Sequence, residues 1–75
     1  MKLSELEVGK KAKVIKINLN SQIGQRLSNL GLTVGVDVCV LRYAPFGDPI
    51  EISLRNFCLA IRRETAENIM VIEYE

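Results

Sequence analysis

The spacing of apolar residues changes its period at Gly31. Upstream, Ile23, Leu27 and Leu30 recur at i, i+4 and i+7, which is one stripe of a helix. Downstream, Val36, Val38 and Val40 alternate as in a strand. One element cannot carry both periods, so the chain must end a helix and turn a corner between Leu30 and Val36. Gly31 suits the left-handed position that closes a helix, because it has no Cβ to clash there. Leu32 then falls where a side chain packs back on Leu27 in a Schellman ending, and Gly35 marks a second tight turn.

The same corner is echoed earlier. Leu6-Glu7-Val8-Gly9, followed by Lys10-Lys11-Ala12-Lys13-Val14, has the form of Leu32-Thr33-Val34-Gly35 followed by the alternating valines. Two such short copies are no solenoid, so they predict one turn-into-strand device used twice. In the first strand the alternation slips at Ile15, which predicts a bulge or a second buried face near its end. Asn18, Asn20 and Ser21 are helix-capping types, so the helix is expected to start among them and run to Leu30. Gly24 weakens its interior by about 1 kcal/mol relative to alanine, which leaves its stability to the docking of the Ile23, Leu27 and Leu30 stripe.

A second strand is predicted over 36–43. Ala44-Pro45-Phe46-Gly47-Asp48-Pro49 breaks the pattern with loop chemistry, and a third strand alternates Ile50, Ile52 and Leu54 with Glu51, Ser53 and Arg55. The two strands should pair as a hairpin with the proline loop at its tip. Asn56 allows a turn into a fourth strand over 57–61, a single helical turn fits 62–68, and Ile69 and Val71 alternate with Met70, Ile72 and Tyr74 in a fifth. Short two-faced strands in one domain over 1–75 bury their apolar positions best by curling into a small, partly open, SH3-like barrel.

The run Arg26-Leu27 to Leu30-Gly31-Leu32 to Gly35 resembles the signature of the ferrous iron transport protein A (FeoA) family. The loop Ala44-Pro45-Phe46-Gly47-Asp48-Pro49-Ile50-Glu51-Ile52 resembles that family's hairpin loop, and Leu59-Ala60-Ile61-Arg62-Arg63 with Ala66, Ile69 and Val71 resembles its final strand pair. Val34 departs from the family, which usually has proline at that turn position. The resemblance implies an SH3-like barrel and an accessory role in bacterial ferrous iron uptake beside ferrous iron transport protein B, a membrane permease with a cytoplasmic nucleotide-hydrolysing domain. It also implies kinship with the regulatory C-terminal domains of iron-dependent repressors. A transition-metal-binding or metal-responsive regulatory domain is therefore the alternative to a permease-docking module.

Histidine is absent, so no Ser-His-Asp or Cys-His set can be built within the chain, and neither a phosphate loop nor a paired-cysteine zinc pattern occurs. Enzyme activity is not expected. Cys39 and Cys58 lie in apolar stretches and are expected to be buried, reduced and structural. If they met across neighbouring strands, two thiolates would still leave a tetrahedral site half filled, so no dedicated cofactor is expected beyond a weak divalent transition metal. A net charge of +1 argues against nucleic acid as a partner, and the absence of a long apolar run or signal-peptide core points to the cytoplasm without membrane insertion. Attachment to the inner face of the membrane would then go through the permease.

With Val36, Val38 and Val40 facing the barrel, Cys39, Leu41 and Tyr43 are expected to point outward, covered in part by the helix through Leu27, Leu30 and Leu32. Phe46 has no periodic tie to the core, so it either anchors a partner or folds back over the open end of the barrel. Asp48 is expected to stabilise its own turn. The predicted partner surface is Phe46 with Arg26, Arg42 and Tyr43. Lys10, Lys11, Lys13 and Lys16 suit a solvated strand face. Weak self-association through an exposed strand edge stays open.

Overall fold

The computed structural model describes residues 1–74. After a short 3-10 turn at Leu3–Glu5, the strands are β1 (Lys11–Ile17), β2 (Asp37–Tyr43), β3 (Ile50–Leu54), β4 (Phe57–Ile61) and β5 (Ile69–Tyr74). Helix α1 (Ser21–Asn29) joins β1 to β2, and the single turn α2 (Arg63–Ala66) joins β4 to β5. All strand pairs are antiparallel, in the order β4-β3-β2-β1-β5.

Local chemistry sets the corners as expected. The side chain of Asn20 accepts from the Ile23 amide at 2.9 Å and caps α1. At the other end Gly31 has φ +101°, its amide donates to the Ser28 carbonyl, and the Leu32 amide donates to the Leu27 carbonyl, which is the Schellman bond pair. Leu27 and Leu32 both enter the core. The repeated turn is reciprocal in three dimensions. The Gly9 amide, just before β1, donates to Val40 of β2, and the Gly35 amide, just before β2, donates to Val14 of β1 at 2.7 Å. Each turn is thus locked onto the strand that the other one starts.

The core holds Ala12 and Val14 of β1, Val38 and Val40 of β2, Ile50, Ile52 and Leu54 of β3, and Ile69 and Val71 of β5, with Leu3, Leu6, Val36 and Ala66 closing its ends. The β1–β5 register shifts between Val14 and Lys16, so the bulge falls at Ile15, whose side chain is exposed. The outer edge of β5 is covered by the amino terminus. Val71 donates to the Met1 carbonyl at 2.7 Å, the Met1 ammonium donates back to the Val71 carbonyl at 2.9 Å, and Lys2 bridges Met70.

Two expectations are corrected here. A second bulge lies between Val40 and Arg42, and it turns Tyr43 back toward the core, so Cys39, Leu41 and Tyr43 do not share one face. The hydroxyl of Tyr43 lies against the carbonyls of Ser4, at 3.2 Å, and Leu6, tying the amino-terminal turn to β2. Cys58 is exposed and Cys39 only half-buried, both free thiols. They are not on neighbouring strands either: Ser53 pairs with both, so they stand two strand spacings apart, about 9–10 Å. The expected turn into β4 is present at Arg55 and Asn56, with Arg55 at φ 45°.

Burial pushes the Tyr43 phenol above its ordinary pKa of 10.0, against a smaller opposing influence of Arg63. A raised folded-state pKa means that this share of stability is fully present below the unfolded value and is lost as pH rises through the folded one. Tyr43→Phe is expected to cost about 1 kcal/mol at neutral pH. It should also remove this share of the alkaline destabilisation, which urea unfolding at neutral pH and above pH 10 would read.

Candidate docking surface

The loop between β2 and β3 is stiff for its length. Ala44 donates to the Pro49 carbonyl at 3.0 Å and Gly47 to the Ala44 carbonyl at 2.7 Å, with Pro45 and Phe46 at the centre of the inner turn. Gly47 has φ +83° and the Asp48–Pro49 peptide is cis. Asp48 does not brace its own turn as expected. Its Oδ1 accepts from the Arg63 amide at 3.0 Å, satisfying a free N–H at the start of α2 and pinning the loop to that turn.

Phe46 therefore projects from a braced loop, and it is 97% exposed. It does not cap the barrel. Arg42 stands at the loop's base, ion-paired with Glu51 at 3.1 Å, and Tyr43 is turned inward as described. Arg26 is not at that base. It sits on α1, beside a groove that β4 and α2 complete with Leu59, Ala60, Arg62 and Thr65. Arg62 also borders the depression beside Asp48 and Pro49, so it bridges the groove to the Phe46 loop.

The helix stripe is buried only in part. Leu27 is 6% exposed, but Leu30 is 40% and Ile23 37% exposed. At 3.6 residues per turn, Leu27 and Leu30 lie about 60° apart around the helix axis, with Ile23 between them. The helix docks on its Leu27 flank, leaving Ile23 and Leu30 to line the groove. Leu27 and Leu32 are buried and Leu30 is not. The corner that follows α1 stands beside β4: the nearest atoms to a side chain at Gly31 would be those of Phe57. The predicted surface thus lacked Arg62 and the exposed flank of α1, because only the helix's rotation in the fold reveals them.

At the start of β2, Asp37 faces Lys13 of β1 at 3.2 Å, with Tyr74 as a second partner. The hydrogen bond from Tyr74, and then Lys13, hold its carboxyl below the usual 3.8, while the Tyr74 phenol is pushed up by the same bond. A lowered pKa gives stability above the unfolded value that is lost as pH falls through the folded one. Asp37→Asn should therefore be slightly less stable than wild type at neutral pH and indistinguishable from it once pH has fallen well below 3.8, as thermal melts across that range would show.

Among the described residues no three of the His, Cys, Asp and Glu side chains converge on one point. Among the described residues no helix is long and apolar enough to cross a membrane.

A mainly β, five-stranded, partly open barrel with one short helix and an exposed aromatic loop defines a small SH3-like domain. The family model for the FeoA domain matches residues 1–73, and the chain belongs to the FeoA family. It is 43% identical to the FeoA protein of Chlorobium tepidum, whose solution structure superposes with a TM-score of 0.95 over all of this chain and 71% of that one. A zinc complex of FeoA from Stenotrophomonas maltophilia, described as a prokaryotic SH3 domain protein, matches at 29% identity and a TM-score of 0.78, covering 96% of this chain and 89% of that one. The chain is also 30% identical, over 95% of its length, to an Fe(2+) transport protein A/Fe(2+) transporter FeoB fusion protein of Porphyromonas gingivalis, of which it spans 8%.

Proposed function

We propose that this chain is a non-enzymatic accessory module of ferrous iron transport that docks on the cytoplasmic part of an FeoB-type permease and modulates transport. The observation that carries this reading is Phe46, almost wholly exposed on a loop closed by its own hydrogen bonds and pinned to α2 through Asp48. An aromatic side chain with two rotatable bonds, presented by a rigid loop, loses little entropy on binding and suits an interface anchor. Arg42 stands at the loop base, ion-paired with Glu51, Arg26 lies apart on α1 beside the groove, and Tyr43 ties the end of β2 to the amino-terminal turn.

The Porphyromonas fusion protein supports the choice of partner, because a tether that joins the two kinds of domain raises the local concentration of each for the other. The domain would act in the cytoplasm, held at the inner face of the membrane by its partner. The Stenotrophomonas relative is complexed with zinc, and a metal-responsive domain is the second reading of this chain. The test is titration of the isolated cytoplasmic part of FeoB into labelled protein, with and without nucleotide and Fe(II). Saturable binding with a Kd below about 100 μM is expected. A flat titration under every condition removes the proposal.

A further inference from the structure

The sheet ends on β4 at one side and β5 at the other, and α1 faces β4 across a groove. The two ends of the sheet are treated differently: β5 has the amino terminus along its outer edge, whereas among the described residues no backbone pairs with the outer edge of β4. Arg55 and Asn56 form a two-residue turn, so Leu54 and Phe57 exchange the first ladder bonds between β3 and β4. Alternation then leaves the N–H and C=O groups of Cys58 and Ala60 pointing away from β3. These unpaired groups run beside exposed apolar surface. Phe57 and Leu59, opposite the buried Leu54 and Ile52, stay partly exposed, and across the groove stand Ile23 and Leu30. Arg26 and Arg62 line the same groove, both exposed and, among the described residues, without a carboxylate partner.

Resting on the docking reading above, we infer that the partner contributes an extended segment of alternating apolar and acidic residues, which adds to β4 as a sixth strand in the α1–β4 groove. Each part of the groove matches one property of that occupant. The free groups of Cys58 and Ala60 bind its backbone, Leu30 and Leu59 receive its apolar side chains, and Arg26 and Arg62 meet its carboxylates. A second copy of this chain is the poorer occupant. Its β4 carries no carboxylate, and it would bring a further Arg26 and Arg62 against the first pair.

The experiment uses the full chain and the isolated cytoplasmic part of FeoB. In the complex, hydrogen exchange at the Cys58 and Ala60 amides should slow at least tenfold. Ala60→Pro, which deletes an N–H that β3 does not use, and the double variant Arg26→Glu/Arg62→Glu should each weaken binding about tenfold or more. Should Ala60→Pro fail to fold, the amide protection and the charge-reversed variant decide. Strand addition is overturned if those amides exchange unprotected, or if the charge-reversed variant binds as tightly as wild type. If Phe46→Ala then still weakens the complex, the docking reading survives alone. Absence of wild-type binding removes both.

Discussion

Replacing Leu32 by alanine is expected to remove about 2–5 kcal/mol of stability. Leu32 is 0% exposed and sits in the core beside Leu27, directly after the left-handed Gly31. Truncation leaves a cavity under the helix ending that Leu27 cannot fill, because the Leu32 amide bond to the Leu27 carbonyl holds the backbone in place. A chain of this size has only about 4–11 kcal/mol in total, so the variant stands close to its unfolding threshold. Urea unfolding should show a lower midpoint with an unchanged slope. The same truncation at Leu30 is expected to cost under about 1 kcal/mol, since its side chain is already 40% in water. Equal losses at the two positions would mean that α1 is docked on a different flank from the one described.

Phe46→Ala is expected to leave stability unchanged and to weaken binding to the cytoplasmic part of FeoB about 30-fold, the cost of truncating a hot-spot aromatic of about 2 kcal/mol. No core contact is lost, because the ring is 97% exposed, and the loop's backbone bonds through Ala44, Gly47 and Pro49 do not involve it. Titration calorimetry against wild type separates the outcomes. An unaltered Kd in a variant that melts like wild type would take the anchor role from Phe46 and leave the exposed aromatic unexplained.

Features within a few residues of one another were legible in advance. The change of period at Gly31, the cap at Asn20, the slip at Ile15 and the two glycine corners each depend on backbone conformations that neighbouring residues permit or forbid. The apolar alternation of β3 likewise specified which of its faces is buried. By contrast, the sequence of β2 contains no sign of the bulge that turns Tyr43 inward, because that shift exists only in its pairing with β3. Cys58 looked buried for the same reason. An apolar run reads alike in a central strand and an edge strand, and only the sheet order distinguishes them.

The amino-acid sequence by itself determined the elements, their order, the corners between them and the family to which they belong. Tertiary structure alone decided which apolar residues stay in water. Ile23 and Leu30 belong to the same stripe as Leu27, yet the rotation of α1 against β4 buries one and leaves the other two beside an unpaired strand edge. The physical reason is range. Torsional preference and capping act over a few residues, whereas exposure is set by neighbours that the chain reaches only after the whole barrel has curled.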